Sequence, residues 1–362
     1  MVGLVRILLC SCLLIATMQS VLAAPKTSAK AENKVVTELG PRPEECQLDE
    51  EYLLGVYAGN GSIVLVLERK GQLFLAHRTE EEDRDYSHSA IFPLTKQYYD
   101  CYSVGDVPKA AAVGDTAKFE RDQEGNGVAL RLDDNIYNRK YQFGEHAKVF
   151  KVKVVRPWPE LEKEAKVALL PKQRATKQAT LVDLSQVVPQ LHYDLRYATT
   201  NNCFGHPLVP VAKAYLDQEA ATALIKAQEA LRMRGYGLLV WEAYRPWQAF
   251  KLATLALPDK EKRILPKAEE GYPHDTGRSI DVSLYDLATG QPVQMICDFD
   301  VPTAAQFSAY VGGTSLERWQ RDVLRQAMLA AGFTASKDEW WHFDYPSQEK
   351  YQMLNIPLQE LK

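Results

Sequence analysis

The 362-residue sequence predicts an α+β fold joined to a small all-β module, on three observations. From 45 to 153, short apolar runs alternate with turn residues, the pattern of a small antiparallel sandwich or barrel. From 181 to 362, helix-periodic and strand-like runs take turns, the order of helices packed on a small antiparallel sheet. Between them, 154–180 shifts to Pro, Lys and Glu, the composition of a linker. The length allows about two domains. A net charge of −4 leaves no basic footprint for nucleic acid and no polybasic patch for a membrane surface.

The N-terminus reads as an export signal. Arg6 is followed by an apolar run from Ile7 to about Met18, then by small residues at Val21 and Ala23 ahead of a cut after Ala23. The run is short for a membrane span. Residues 1–23 are therefore expected to be a signal peptide, and the mature chain to work in a periplasm or outside the cell with no membrane span. Residues 24–44 read as linker. In an oxidising compartment Cys46, Cys101, Cys203 and Cys297 can pair in three ways, and Cys46–Cys101 with Cys203–Cys297 keeps each bridge inside one domain. No CxxC spacing occurs among the four, so a cysteine metal site is not expected.

In the all-β part, runs such as LLGVYAG, SIVLVLER, QLFLAHR and VALRLDD are punctuated by GNGS, KGQ and EGNG turns. His77, His88 and His146 show no ligand spacing there. In the linker, ELEKEAKVALL has the composition of one helix. Next, 214–234 has Leu216, Ala220, Leu224, Ala227 and Leu231 at helical spacing, with Gly235 as a stop. YGLLVWEAYRP is a strand ending before Pro246, WQAFKLATLAL a helix, and DVSLYDL a strand. SLERWQRDVLRQAMLAAGF is a strongly amphipathic helix closed by Gly332, and DEWWHFDYP is a β-rich aromatic run.

Chemistry collects in the last part. In GYPHDTGRSIDVSLYD, His274 stands in a polar loop seven residues before Asp281, and the aromatic run holds Glu339 and His342 as ExxH. A catalytic zinc takes three protein ligands and keeps one position open. His274, Asp281 and His342 would supply two imidazoles and a carboxylate for one zinc per chain. Glu339 would be a carboxylate beside the metal, able to take a proton from an attacking water and pass it to a leaving amine. Arg245, charged at the end of an apolar strand, would stabilise an oxyanion in a cleft or pair with Glu242. Each of these features alone is weak.

HDTGRSID, EWWH and WEAYRP, in this order, resemble the zinc D-alanyl-D-alanine dipeptidases and, more distantly, the wider D-Ala-D-Ala carboxypeptidase and hedgehog-like zinc folds. DLRYATTNNCFG at 194–205 resembles the segment DLRYATxxNFxG of the dipeptidase branch. The resemblance covers about 185–350. It implies zinc on His274, Asp281 and His342, Glu339 as general base and acid, and Arg245 on the tetrahedral intermediate. It also implies Tyr197 and Asn202 as walls of the substrate pocket. MICDFD at 295–300 is similar to the family's MGTxFD, which implies that Asp300 meets the substrate ammonium. The sequence departs from the pattern at Tyr272, where the family has Ser two before the first ligand, at Ser279 for Ala, and at Ile296 and Cys297 in the MGT stretch. Tyr272 therefore joins the expected substrate-binding residues. Cysteines at two pocket positions imply a Cys203–Cys297 disulfide clipping the segment to the pocket loop.

Three functions follow as expectations. The first is an exported zinc dipeptidase for D-Ala-D-Ala or a related D-amino-acid dipeptide in peptidoglycan turnover. The second is a D,D-carboxypeptidase or endopeptidase on longer peptidoglycan peptides, with a pocket open at the amine end. The third is a zinc-stabilised binding protein, which needs a fourth ligand such as His192 or His206.

Overall fold

Eight short strands close into an antiparallel barrel: β1 (Gly55–Gly59), β2 (Ser62–Arg69), β3 (Gln72–Thr79), β4 (Ile91–Tyr98), β5 (Cys101–Val104), β6 (Thr116–Arg121), β7 (Gly127–Leu132) and β8 (Asn135–Lys140). The structure is a computed structural model that describes residues 39–46, 49–79, 90–105, 115–140, 150–175, 177–259 and 272–362. The expected signal peptide, most of the first linker, His88 and His146 lie outside the described residues. Closure comes from β1 pairing β8, with Val56 opposite Lys140 and Tyr57 opposite Arg139. Tight turns reverse the chain at Asn60-Gly61 and Lys70-Gly71, all four residues at positive φ. Tyr57, Val64, Val66, Leu75, Tyr102, Phe119 and Leu130 fill the interior. β2 is unusual in burying both faces: Val64 and Val66 point in, while Leu65 and Leu67 belong to a separate buried cluster with Ala305 and Tyr310.

The second part is mixed. α1 (Trp158–Val167) buries Leu161 and Ala165 in the main core, so the stretch read as linker carries a packed helix. There follow β9 (Leu181–Asp183), α2 (Leu184–Val187), β10 (His192–Tyr193), β11 (Tyr215–Asp217), α3 (Gln218–Arg232) and β12 (Tyr236–Glu242). α4 (Trp247–Ala256), β13 (Ser279–Asp286), α5 (Ser315–Ala330), β14 (Thr334–Ala335) and β15 (His342–Asp344) complete it. The main sheet has the order β10-β12-β13-β15-β14.

Two expectations change here. The sheet is not wholly antiparallel: β10 runs parallel to β12, because the chain crosses over through β11 and α3 before returning beside it. The helix expected over 214–234 begins at Gln218, since Tyr215–Asp217 pairs with Leu181–Asp183 and commits its backbone to a ladder. α5 matches its sequence pattern, with Thr314 and Glu317 forming a reciprocal capping box and Gly332 just beyond its end. Trp340 and Trp341 are core residues, 2% and 1% exposed. Among the described residues no helix is long and apolar enough to cross a membrane. The described residues, barrel included, belong to one compact unit.

Candidate active site

Three strands place the site. Along β13, Ile280, Val282 and Leu284 enter the core, which turns Asp281 to the opposite face by the period of two. Asp281 lies directly between Glu242 of β12 and His342 of β15 in the ladder. Unbroken pairing from Val240 opposite Val282 would have set Trp241 against Asp281. A bulge between Val240 and Glu242 brings the carboxylate there instead. His274 enters from the short 3-10 turn Pro273–Thr276, which ends on Gly277 at φ +74. A Cβ at Gly277 would also stand 2.5 Å from Leu181. Gly277→Ala is therefore expected to cost roughly 1–3 kcal/mol of stability, read as a lowered melting temperature.

The three expected ligands converge. Their donor atoms lie within 4.8 Å of one another, and all three residues are buried. His274 Nδ1 donates to the Ala243 carbonyl at 2.7 Å, which leaves the Nε2 lone pair facing inward. His342 Nε2 lies 3.2 Å from the Asp344 carboxylate, which likewise leaves Nδ1 facing inward. The two inward nitrogens are 3.2 Å apart, and Asp281 Oδ1 is 3.3 Å from one and 2.9 Å from the other. Two lone pairs and a carboxylate oxygen repel at such distances unless a cation lies among them. With each imidazole oriented by a second acceptor, this donor set fits a divalent metal such as zinc. Without a metal, protons serve: burial opposes it, but Asp281 holds both imidazoles above their usual pKa, and they hold Asp281 well below its own.

Glu339 stands beside this cluster, Oε2 3.9 Å from His342 Nδ1, with its side chain 28% exposed. Tyr272 Oη donates to it at 3.4 Å. Burial, then the charge on Asp281, push its carboxyl up to about 7. Arg245 is 5% exposed and lies over the rings of Tyr197, Phe250 and Tyr272 at 5.4, 5.4 and 5.0 Å. Its Nη1 is 3.3 Å from Glu242, while its Nε has no hydrogen-bond partner among the described residues. Asp300 accepts a hydrogen bond from Tyr197 Oη, and burial raises its carboxyl to about 6. The site therefore gathers three converging donors, a carboxylate raised toward neutrality, a buried guanidinium and a half-buried second carboxylate.

Asn202 is the exception among the expected pocket residues. Its amide donates to the carbonyls of Arg196, Thr199 and His206 and accepts from Phe204 N, so it is spent on holding its own loop. Neither candidate fourth ligand reaches the triad: His192 stacks on Tyr285 at 3.6 Å, and His206 stacks on Trp158 at 4.1 Å. The expected disulfides are not formed. Cys203 is a free thiol 3.7 Å from Asp300, Cys297 accepts from Trp340 Nε1 at 3.4 Å, and Cys101 is a buried free thiol. The side chains sit on different polar partners, and similarity to pocket positions alone does not align two sulfurs.

Sequence reasoning missed Glu242, Ala243 and Asp344 as site residues. Glu242 Oε2 is 3.8 Å from His274 Nε2, and burial raises its carboxyl to about 7. Its signal is in the sequence, at the end of the β12 run three residues before Arg245, a spacing that by itself suggests only an ion pair.

Converging imidazoles and carboxylate, a neighbouring acid poised near neutrality and a buried arginine are the parts of a metallopeptidase. The D-ala-D-ala dipeptidase family, Peptidase_M15, matches residues 177–359, and the chain belongs to that family. The D-alanyl-D-alanine dipeptidase of Escherichia coli K12 is 30% identical over 174 residues, covering 48% of this chain and 89% of that protein. Those of Enterococcus faecium and Enterococcus faecalis are 31% and 33% identical over 189 residues, covering 46% of this chain and 94% of each.

Proposed function

We propose that this protein is an exported zinc dipeptidase that hydrolyses D-alanyl-D-alanine or a related D-amino-acid dipeptide during peptidoglycan turnover. The observation that carries the reading is Glu339 standing at the edge of the His274–Asp281–His342 cluster, with Arg245 close behind Tyr272. Export rests on the N-terminal sequence pattern. The substrate rests on the relatives and on Asp300.

The triad residues would hold the metal, which when bound polarises the scissile carbonyl and acidifies the attacking water. Glu339 takes a proton from that water as its oxygen bonds to the carbonyl carbon. The unsatisfied Nε of Arg245 leaves it a donor for the developing oxyanion. As the C–N bond breaks, Glu339 returns the proton to the departing amine. Asp300, held by Tyr197, faces the substrate ammonium, and Tyr272 fills the space between Glu339 and Arg245.

The test is release of free D-alanine from D-Ala-D-Ala, beside N-acetyl-D-Ala-D-Ala and a wall pentapeptide. Hydrolysis of the free dipeptide alone supports the reading. Preference for the blocked or longer peptides would replace it with a carboxypeptidase or endopeptidase. The pH profile has a defined sign. Glu339 acts as base only when deprotonated, so kcat/KM is expected to fall as pH drops through its pKa. A bound cation lowers that pKa, so the acid limb is expected at or below about 7.

A further inference from the structure

We infer that the barrel is a built-in clamp on the segment that carries Asp300, with Leu65, Leu67 and Glu68 as positioning residues for amine recognition. The inference rests on the role given to Asp300 under Proposed function.

The segment from Ile296 to Gly313 lies between two surfaces. On one side is the barrel wall. Leu65 and Leu67 of β2, with Val56 and Ala76, form a buried cluster with Ala305 and Tyr310, and Ile296 and Cys297 pack against it. The C-terminal end of β2 holds the far end of the segment. Glu68, 3% exposed, accepts from Ser315 N at 2.5 Å and from Ser315 Oγ at 3.1 Å, at the start of α5. Glu68 N donates to the Gly313 carbonyl at 3.2 Å, and Arg318 bridges the carbonyls of Glu68 and Gly313 at 2.5 and 2.8 Å. These contacts tie barrel backbone to segment backbone.

On the other side is the active site. Phe299 packs against Tyr197, Trp241 and Trp341, and Cys297 against Trp340. Asp300 itself stands at φ +55, in the left-handed region that is uncommon for residues other than glycine and that Asp enters more readily than most. A cavity of about 520 Å³ flanks the segment, lined in part by Gly55 and Arg139 of the barrel and by Met295, Ile296 and Asp298. The segment therefore has room to shift once the clamp is released. The relatives do not share this device in the same form. The match takes up 89–94% of their own length, which leaves too little chain for an eight-stranded barrel.

The experiment uses the full chain and two variants, Leu65→Ala, which thins the packed wall, and Glu68→Gln, which removes one acceptor at the helix start without opening a cavity. Iodoacetamide labelling is followed thiol by thiol by peptide mass mapping. Cys297 reports the segment, Cys203 reports Asp300, and Cys101 in the barrel wall reports barrel unfolding. Burial pushes the Cys297 thiol up to about 12, so native labelling is slow. The expected result is labelling of Cys297 and Cys203 about tenfold faster, equivalent to about 1.4 kcal/mol of easier opening, with Cys101 unchanged. KM for D-Ala-D-Ala is expected to rise about tenfold while kcat stays within about twofold. Leu65→Met should restore both readouts. Unchanged Cys297 and Cys203 labelling in both variants, with or without a lower melting temperature, overturns the clamp. If D-Ala-D-Ala is not a substrate, the substrate reading falls, and the labelling still decides whether the barrel holds the segment.

Discussion

Glu339→Gln is expected to lower kcat by about 10²–10⁴-fold while leaving bound metal at one per chain. The amide keeps the size of the side chain and an acceptor for Tyr272, which donates to Glu339 at 3.4 Å. It cannot take the proton from water or return it to the amine. Because the carboxylate is not one of the three converging donors, its loss should spare metal content, measured by atomic absorption. Loss of metal together with activity would instead make Glu339 a ligand. Retained activity would move the base elsewhere, with Glu242 next in line at 3.8 Å from His274 Nε2.

Removal of the metal, or of a donor by Asp281→Asn, is expected to abolish turnover and to lower thermal stability as well. Asp281 holds the two imidazoles at 3.3 and 2.9 Å, and a neutral amide leaves two buried nitrogens without their counter-charge. A metal present at about 100 times its Kd adds about 2.7 kcal/mol, which for a compact unit of this size is a shift of about 4 °C in Tm. Calorimetry with and without chelator, then with zinc restored, checks both the size and the reversal. An unchanged Tm on stripping would mean that the triad does not bind the metal. Asp281→Asn and Glu339→Gln should thus separate, the first losing metal and stability, the second losing only turnover.

Much of this site is visible in the string because the residues concerned are close in sequence to punctuation that constrains them. His274 and Asp281 flank Gly277, whose positive φ ends the turn that aims one and starts the strand that carries the other. Glu339 and His342 share one short stretch, and the apolar alternation of Ile280, Val282 and Leu284 already turns Asp281 away from the core. The β runs of the first module are likewise legible, since turn residues separate them. Tyr215–Asp217 shows the limit: its periodicity joins it to the following helix, and only Leu181–Asp183, far off in the chain, claims it for a ladder.

By itself, then, the sequence picked out the three side chains that converge, the carboxylate beside them, the capped ends of α5 and the β character of the first module. These depend on local spacing, side-chain chemistry and turn residues. The tertiary structure alone decided that a bulge in β12 lays Glu242 beside Asp281 and His342, and that Ala243 and Asp344 orient the imidazoles. It also decided that Asn202 serves its own loop, that Cys203 and Cys297 face other partners, and that β2 buries its outer face against the segment holding Asp300. Register, strand order and docking depend on which distant surfaces meet, and contacts between residues 50 to 250 positions apart leave no period or spacing in the chain.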